Sequence, residues 1–407
     1  MRLAPVCALL LALTLAACAQ KPPPPPPAPN ITAAPPPAAK PAPKPVPPAP
    51  GVKPLPQVAP AGATLVGVIL PLSGNAAALG NAMLNATQLA LFELADPELT
   101  LLPFDSKGTP EGAEAAMRQA AAQHVEIVVG PLFAAEVRAI APIAASFHIP
   151  LLSLSADRSV AGGGAYVMGF LPGPQSMAIA EFAANQGKLR QAVLAPSNDY
   201  GRTVVAELNS GAASLGVTIG PVEYYNPAEL DLSPALKRLL AKRTPEDVGF
   251  DSLLLPDDGA RLRRVGEQWA AQGIEPGKVT LLGTMLWDEI KAGEQPALFG
   301  AYYPAAPSAG FVDFTRRYQH AFGEKPPRLA SLAFDAAALA MVLNKKAPHD
   351  FSVGQLTNPT GFAGIDGLFR LKPDGTIEWA YAIKQVVPNG ASREAQPAIK
   401  EFPAIRG

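Results

Sequence analysis

The side chains able to do chemistry are few and scattered. His124, His148, His320 and His349 are the only histidines, and no two sit at i,i+4, so they do not form the ligand pair of a zinc helix. The two cysteines, Cys7 and Cys18, both lie near the start, which leaves the rest of the chain without a thiol for catalysis or cross-linking. No HExxH, GxSxG or Walker loop is present. Gly162-Gly163-Gly164 precedes a strand-like run instead of opening a helix, which makes it a flexible loop and not a phosphate cradle. The remaining polar groups, among them Asp157, Asp199, Tyr200, Asp257, Asp258 and Asp288, suit recognition by charge and hydrogen bonding. An enzyme is therefore not expected, and no cofactor or metal is implied.

The elements that must position these groups follow from the hydrophobic pattern. From Thr64, short apolar runs alternate with amphipathic stretches: TLVGVILPLSG, a helix through Phe92, LTLLPFDS, EGAEAAMRQAAAQH, EIVVGPL, AAEVRAIAPIAASF and IPLLSLSA. A second set follows: RQAVLAPS, TVVAELNSGAASLG, VTIGPVEYY, SPALKRLLAKRT, FDSLLLPDD, ARLRRVGEQWAAQG and KVTLLGTM. Buried strands joined by helices predict an α/β fold of right-handed βαβ units with parallel sheets covered on both faces. Two successive sets predict two lobes. Open α/β sheets bind ligands beyond the carboxyl ends of their strands, so the cleft between the lobes is the expected site.

The composition divides the chain. Of 407 residues 47 are proline, and 19 of these fall within residues 19–62, which contain no aromatic or acidic side chain. That stretch cannot build a core and reads as a linker. If extended as polyproline II, it reaches on the order of 130 Å at ~3.1 Å per residue, enough to carry the body away from a membrane and through a cell-wall mesh. The body from Ala63 is long enough for two lobes with buried cores. It carries a balance of −6, since all 34 acidic residues but only 28 of the 33 basic ones lie in it. A mildly acidic body without a Lys/Arg cluster is a poor match for nucleic acid.

At the N-terminus, Arg2 precedes the apolar run CALLLALTLAA, the pattern of a secretory signal over residues 1–17. Leu15-Ala16-Ala17-Cys18 resembles the lipobox of bacterial lipoproteins. The resemblance implies cleavage before Cys18 and acylation of that residue, a membrane attachment by several lipid chains. Ala19, not being aspartate, resembles the outer-membrane class of such signals, which implies the periplasmic face of the outer membrane.

Residues of the body carry a further resemblance. Gly67-Val68-Ile69-Leu70-Pro71-Leu72-Ser73-Gly74, then Gly80 and NAMLNATQLALFEL, look like the opening of type I periplasmic binding proteins of the branched-chain amino-acid receptor family. Gly130-Pro131-Leu132, Pro150-Leu151-Leu152-Ser153, Asn198-Asp199-Tyr200-Gly201, Phe334-Asp335-Ala336-Ala337-Ala338 and a closing FAGIDGLFRLKPDG follow in that family's order. The match covers residues 64–388 after a lipidated Cys and Pro-rich linker at 18–63. It implies an N-lobe of about 64–187 and 302–375, a C-lobe of about 188–300 and 376–388, and a tail at 389–407. Hinge closure about a ligand is the motion it implies.

Receptors of that family hold an amino-acid zwitterion with hydroxyls and backbone amides for the carboxylate and an acid for the ammonium. Carried onto this chain, the cleft candidates are Ser73, Phe133, Ala134, Ser153, Ser155, Asp157, Asp199, Tyr200, Asp257, Asp258, Met285 and Phe334. Several depart from the pattern. Phe133-Ala134 stands where a hydroxyl is usual, Asp157 where a donor is usual, Met285 near the expected acid and Phe334 at the late tyrosine, and each change removes or inverts a polar contact. Other roles stay open: Asp157 and Arg158 as a surface ion pair, Asp257-Asp258-Gly259 as a turn entering a helix, Tyr200 as packing between lobes, and Trp287 as cleft wall or core.

Two functions fit this sequence. The chain resembles the lipoprotein activators of penicillin-binding proteins, in particular over SLSADRSVAGGGAYVMGFLPGPQSMA, which implies a lipid-anchored regulator docking onto a peptidoglycan synthase. The Pro-rich spacer replaces the helical-repeat domain of that group's long forms. The alternative is a receptor delivering an amino acid or another small ligand to an ABC permease. Outer-membrane placement and the altered cleft favour the regulator.

Overall fold

The computed structural model describes residues 62–402 other than 242, 289–291 and 389–390. Cys18 and the Pro-rich linker lie outside the described residues. The first sheet is built from β1 (Thr64–Leu70), β2 (Leu99–Asp105), β3 (Ile127–Val129), β4 (Leu151–Ser153) and β5 (Ala165–Val167), all parallel, in the order β2-β1-β3-β4-β5. Val66, Val68, Ile69 and Leu70 of β1 are all buried, as a central strand covered on both faces requires. Its helices are α1 (Ala77–Leu94), α2 (Pro110–Ala122) and α3 (Ala134–Ser146). Thr109 starts α2, its hydroxyl accepting from the Gly112 amide at 3.1 Å with Pro110 at the first helical position.

The chain then passes to a second sheet. Helix α4 (Pro172–Asn185) is followed by β6 (Arg190–Pro196), α5 (Asp199–Leu215), β7 (Thr218–Tyr225), α6 (Ser233–Leu239), β8 (Ser252–Leu254), α7 (Gly259–Ala270), β9 (Thr280–Leu282) and β10 (Tyr302–Ala305). Helices α8 (Ser308–Phe322), α9 (Ala330–Lys346) and α10 (Val353–Leu356) return to the first lobe, with β11 (Phe362–Gly364), β12 (Gly367–Leu371) and β13 (Ile377–Trp379) forming a small antiparallel sheet. Finally β14 (Ala382–Val387) and β15 (Ala391–Gln396) complete the second sheet, in the order β15-β14-β10-β9-β8-β6-β7. Strands β6 to β10 are parallel, and β14 and β15 are antiparallel additions at one edge.

Each lobe has its own core. The first joins β1–β5 to α1–α3, α8 and α9. The second sheet has an apolar cluster on each face, one around Trp287 and Leu236 and one around Ile179, Phe182 and Val204. The two-lobed α/β architecture agrees with the sequence, but the crossings differ from those expected. Helix α4 belongs to the second lobe, because Ile179, Ala180, Phe182 and Ala183 fill the face of β6 and Phe182 meets Tyr302 at 5.0 Å. The first crossing therefore falls at Leu171, not near 187. Strand β10 pairs with β9 and β14, which moves the second crossing from 302 to about 307. Ile377 and Trp379 remain in the first core, so the third comes after 379 rather than at 375. The expected tail at 389–407 contains β15. Beyond it Phe402 is buried over the Arg370 guanidinium of the first lobe, 4.5 Å from its ring centroid, a fourth crossing.

Candidate functional site

A cleft of about 1210 Å³ lies between the lobes, where the loops after β3 and β4 of the first sheet face the start of α5 and the turn after β9 of the second. Its walls are mainly apolar: Leu79, Leu132, Phe133, Leu154, Phe170 and Leu329 from one side, Pro172, Pro174, Met285 and Leu286 from the other. Phe133 leads into α3 and is well exposed to the cleft, while its backbone amide is taken by the buried Glu136 carboxylate at 3.0 Å. Burial raises the Glu136 pKa above the usual carboxylate range, against hydrogen bonds from Ser106, Phe133 and Leu132.

The charged groups of the cleft are paired within the protein. Asp157 accepts from Arg138 at 2.6 Å and from the Ser159 amide at 2.9 Å. Partial burial opposes its charge, but the Ser159 hydroxyl and amide and Arg138 together hold its pKa low. Arg158 instead reaches Glu207 of α5 at 2.8 Å, across the two lobes. Asp199 is fully exposed and meets Arg202 at 2.6 Å. Asp288 is held by Lys384 at 2.6 Å. Arg328 lies in the wall with its guanidinium over the Phe170 and Phe311 rings, 5.2 and 4.3 Å from their centroids, and pairs with the buried Asp366 at 2.7 Å.

Of the residues singled out in the sequence, Phe133, Asp157, Arg158, Asp199, Tyr200, Met285 and Asp288 line this cleft. The Tyr200 hydroxyl donates to Thr284 at 2.9 Å, and burial pushes its pKa up to about 12. The Met285 amide donates to Gln175 at 3.0 Å. The others stand outside the lining. Ser73 donates to Asp105 at 2.6 Å, closing the loop after β1. Partial burial opposes the Asp105 charge, yet that hydroxyl and the amides of Lys107, Ser73 and Leu72 hold its pKa low. Ala134 is the first residue of α3, and its neighbour Phe133 supplies the wall. Ser153 and Ser155 are buried and serve the backbone, Ser153 through Pro131 and the Ser155 amide, Ser155 through the Asp157 amide at 3.1 Å.

Asp257 is buried in a network with Tyr225 and Arg261, the latter at 2.8 Å, and Asp258 precedes α7, the arrangement of a turn entering a helix. Phe334 packs edge-on against Phe314 at 5.5 Å in the core. Trp287 is wholly buried, its Nε1 donating to the Leu255 carbonyl at 3.2 Å, so it is core and not cleft wall. Sequence reasoning missed Arg138, Phe170, Glu207 and Arg328. The available signal was weak: Phe170 sits in Gly169-Phe170-Leu171-Pro172, a turn into a proline-capped helix, and Arg328 follows Pro326-Pro327.

The model of the periplasmic binding protein family matches residues 65–390. The chain belongs to that family. Among solved structures it is similar to a provisionally assigned branched-chain amino-acid ABC transporter of Rhodospirillum rubrum, at 19% identity and TM-score 0.71, covering 82% of this chain and 99% of that one. It is also similar to an ABC-transporter solute-binding protein of Rhodopseudomonas palustris in complex with 3,4-dihydroxybenzoic acid, at 18% identity and TM-score 0.59, covering 85% and 98%. A leucine-binding protein of Thermotoga maritima is similar at 21% identity and TM-score 0.56, covering 82% and 97%. These identities establish the shared fold. No curated protein matches. Among the described residues, no helix is long and apolar enough to cross a membrane, and no group of three metal-ligating side chains occurs.

Proposed function

We propose that this chain is a lipid-anchored receptor of the type I binding-protein fold, whose interlobe cleft captures a small molecule for an ABC permease. The observation that carries the reading is the cleft itself, about 1210 Å³ with largely apolar walls and polar groups fixed by their own partners. That is the form of a small-molecule site. The solved structures it is similar to, a provisionally assigned branched-chain amino-acid ABC transporter and an ABC-transporter solute-binding protein in complex with an aromatic acid among them, support it. This reverses the order that the sequence favoured. A thermal-shift screen of the full chain against amino acids, organic acids, sugars and nucleosides tests it. The expected result is at least one ligand that raises the melting temperature and titrates calorimetrically to one site. Failure of every compound counts against the receptor.

A second reading is a regulator of peptidoglycan synthesis, docked on a penicillin-binding protein from the periplasmic face of the outer membrane. The pair between Arg158 and Glu207 favours it, since it is a contact between the lobes made by the protein's own side chains. Crosslinking in cells discriminates: retrieval of an inner-membrane permease supports the receptor, and retrieval of a penicillin-binding protein supports the regulator.

A further inference from the structure

The chain continues past the family match, which ends at residue 390, and the added segment ties the lobes together once more. Its first part belongs to the second lobe. Strand β15 pairs with β14 as far as Gln396 opposite Ile383. Its side chains are held there as well, the Ser392 hydroxyl accepting from Tyr303 at 2.8 Å and Arg393 donating to Gln385 at 2.9 Å. Residues 397–401 then run over the surface, all exposed except the half-buried Ala398. Of this segment Phe402 alone is buried, and its seat is in the first lobe.

Other contacts hold that seat in place. Arg370 pairs with Glu378 at 2.9 Å and donates to the Pro359 carbonyl at 3.3 Å, which fixes its guanidinium over the Phe402 ring, 4.5 Å from the centroid. Gly361 completes the seat. A Cβ there would come within 2.9 Å of the ring, so the missing side chain makes the room that Phe402 fills.

The position of this link gives it a consequence. The third crossing runs from Glu378, which lies opposite Arg370, to Ile383, which lies opposite Gln396. The segment from Gln396 to Phe402 therefore begins and ends beside the two ends of that crossing. Six residues reach at most about 22 Å, so the lobes stay coupled while Phe402 is seated. A lone connecting strand turns freely about its own φ and ψ, whereas two links side by side resist the turn. A surface segment held by one buried side chain also opens far more readily than a core, so the link is reversible.

We propose that residues 397–402 are a strap that braces the hinge, with Phe402 as its releasable pin. Seated, the pin confines twisting and opening of the lobes; freed, it gives the hinge its full range. The coupling is reciprocal, because an arrangement of the lobes that carries Gln396 away from Arg370 unseats Phe402. The brace acts in the same way whether the chain is a receptor or a regulator.

Hydrogen exchange read by mass spectrometry on the full chain tests this, comparing the unaltered protein with Phe402→Ala, with Phe402→Leu and with a chain that ends at Gln396. The Ala380 amide donates to the Leu368 carbonyl at 2.8 Å, so residues 378–383 report on the hinge, while β1 and β8 report on the two lobes. The expected result is exchange about tenfold or more faster at 378–383 in Phe402→Ala and in the shortened chain, with β1 and β8 unchanged and Phe402→Leu close to the unaltered protein. Unchanged exchange at 378–383 in both would overturn the strap. An equal rise in β1 and β8 would also overturn it, since that marks a general loosening of the fold and not a braced hinge.

Discussion

Arg158 in the turn after β4 and Glu207 in α5 meet at 2.8 Å, tying the first lobe to the second at the edge of the cleft. Glu207 is placed by Gly173, where an added Cβ would come within 2.6 Å of the Glu207 Cγ. The absence of a side chain at 173 lets Glu207 lie against the start of α4 and reach across. Exposed pairs of this kind are worth about 0–1 kcal/mol. Glu207→Gln should therefore shift the lobes toward an open arrangement by up to about fivefold, read as an increased radius of gyration in small-angle scattering, with little change in melting temperature. Gly173→Ala should act in the same direction by displacing Glu207. An unchanged scattering profile in both variants would show that the pair does not hold the lobes.

The buried pair Asp335 and Asp366 gives the protein a pH-dependent stability. Asp335 accepts from the Ile365 amide at 2.7 Å, and burial first, then the Asp366 charge, raises its pKa well above 3.8. A carboxyl whose pKa rises on folding binds its proton more tightly in the native state. Its contribution is complete below the unfolded value and is lost as pH rises toward the folded one, with a slope of at most about 1.4 kcal/mol per pH unit. Asp335→Asn keeps the shape and the neutral charge, so its melting temperature should fall less steeply with pH over that window. Equal slopes in the two proteins would refute the assignment.

Much of this was legible in the sequence, and the limits have physical causes. Strands such as TLVGVIL and the capped helices announce themselves through local periodicity, so the α/β class and the two lobes follow from the pattern. The crossings do not, because whether α4 covers one sheet or the other depends on which face its Ile179 and Phe182 meet. At the site, motif positions carried Asp157, Asp199 and Tyr200 into the cleft, whereas Ser153, Ser155 and Phe334 turned inward to serve backbone and core. Arg138, Glu207 and Arg328 were invisible because their meaning lies in partners distant in the chain: 19 residues for Arg138 with Asp157 and 49 for Arg158 with Glu207.

The proposed anchor rests on Cys18. Cys18→Ala should abolish incorporation of labelled fatty acid and release the protein from membranes, since several acyl chains supply the attachment at roughly 0.8 kcal/mol per buried methylene. Acylated, membrane-bound protein after the substitution would contradict the anchor.

The interlobe cleft is proposed as a ligand site. Ala156 lies exposed on its wall, so Ala156→Trp adds bulk to the cleft without entering either core. Calorimetric titration of the unaltered protein and of this variant, with a ligand from the screen, shows whether the ligand sits there. The expected result is one saturable site in the unaltered protein and a loss of affinity of about tenfold or more in the variant, at an unchanged melting temperature. Equal affinity in both proteins would place the ligand elsewhere and rule out the cleft as its site.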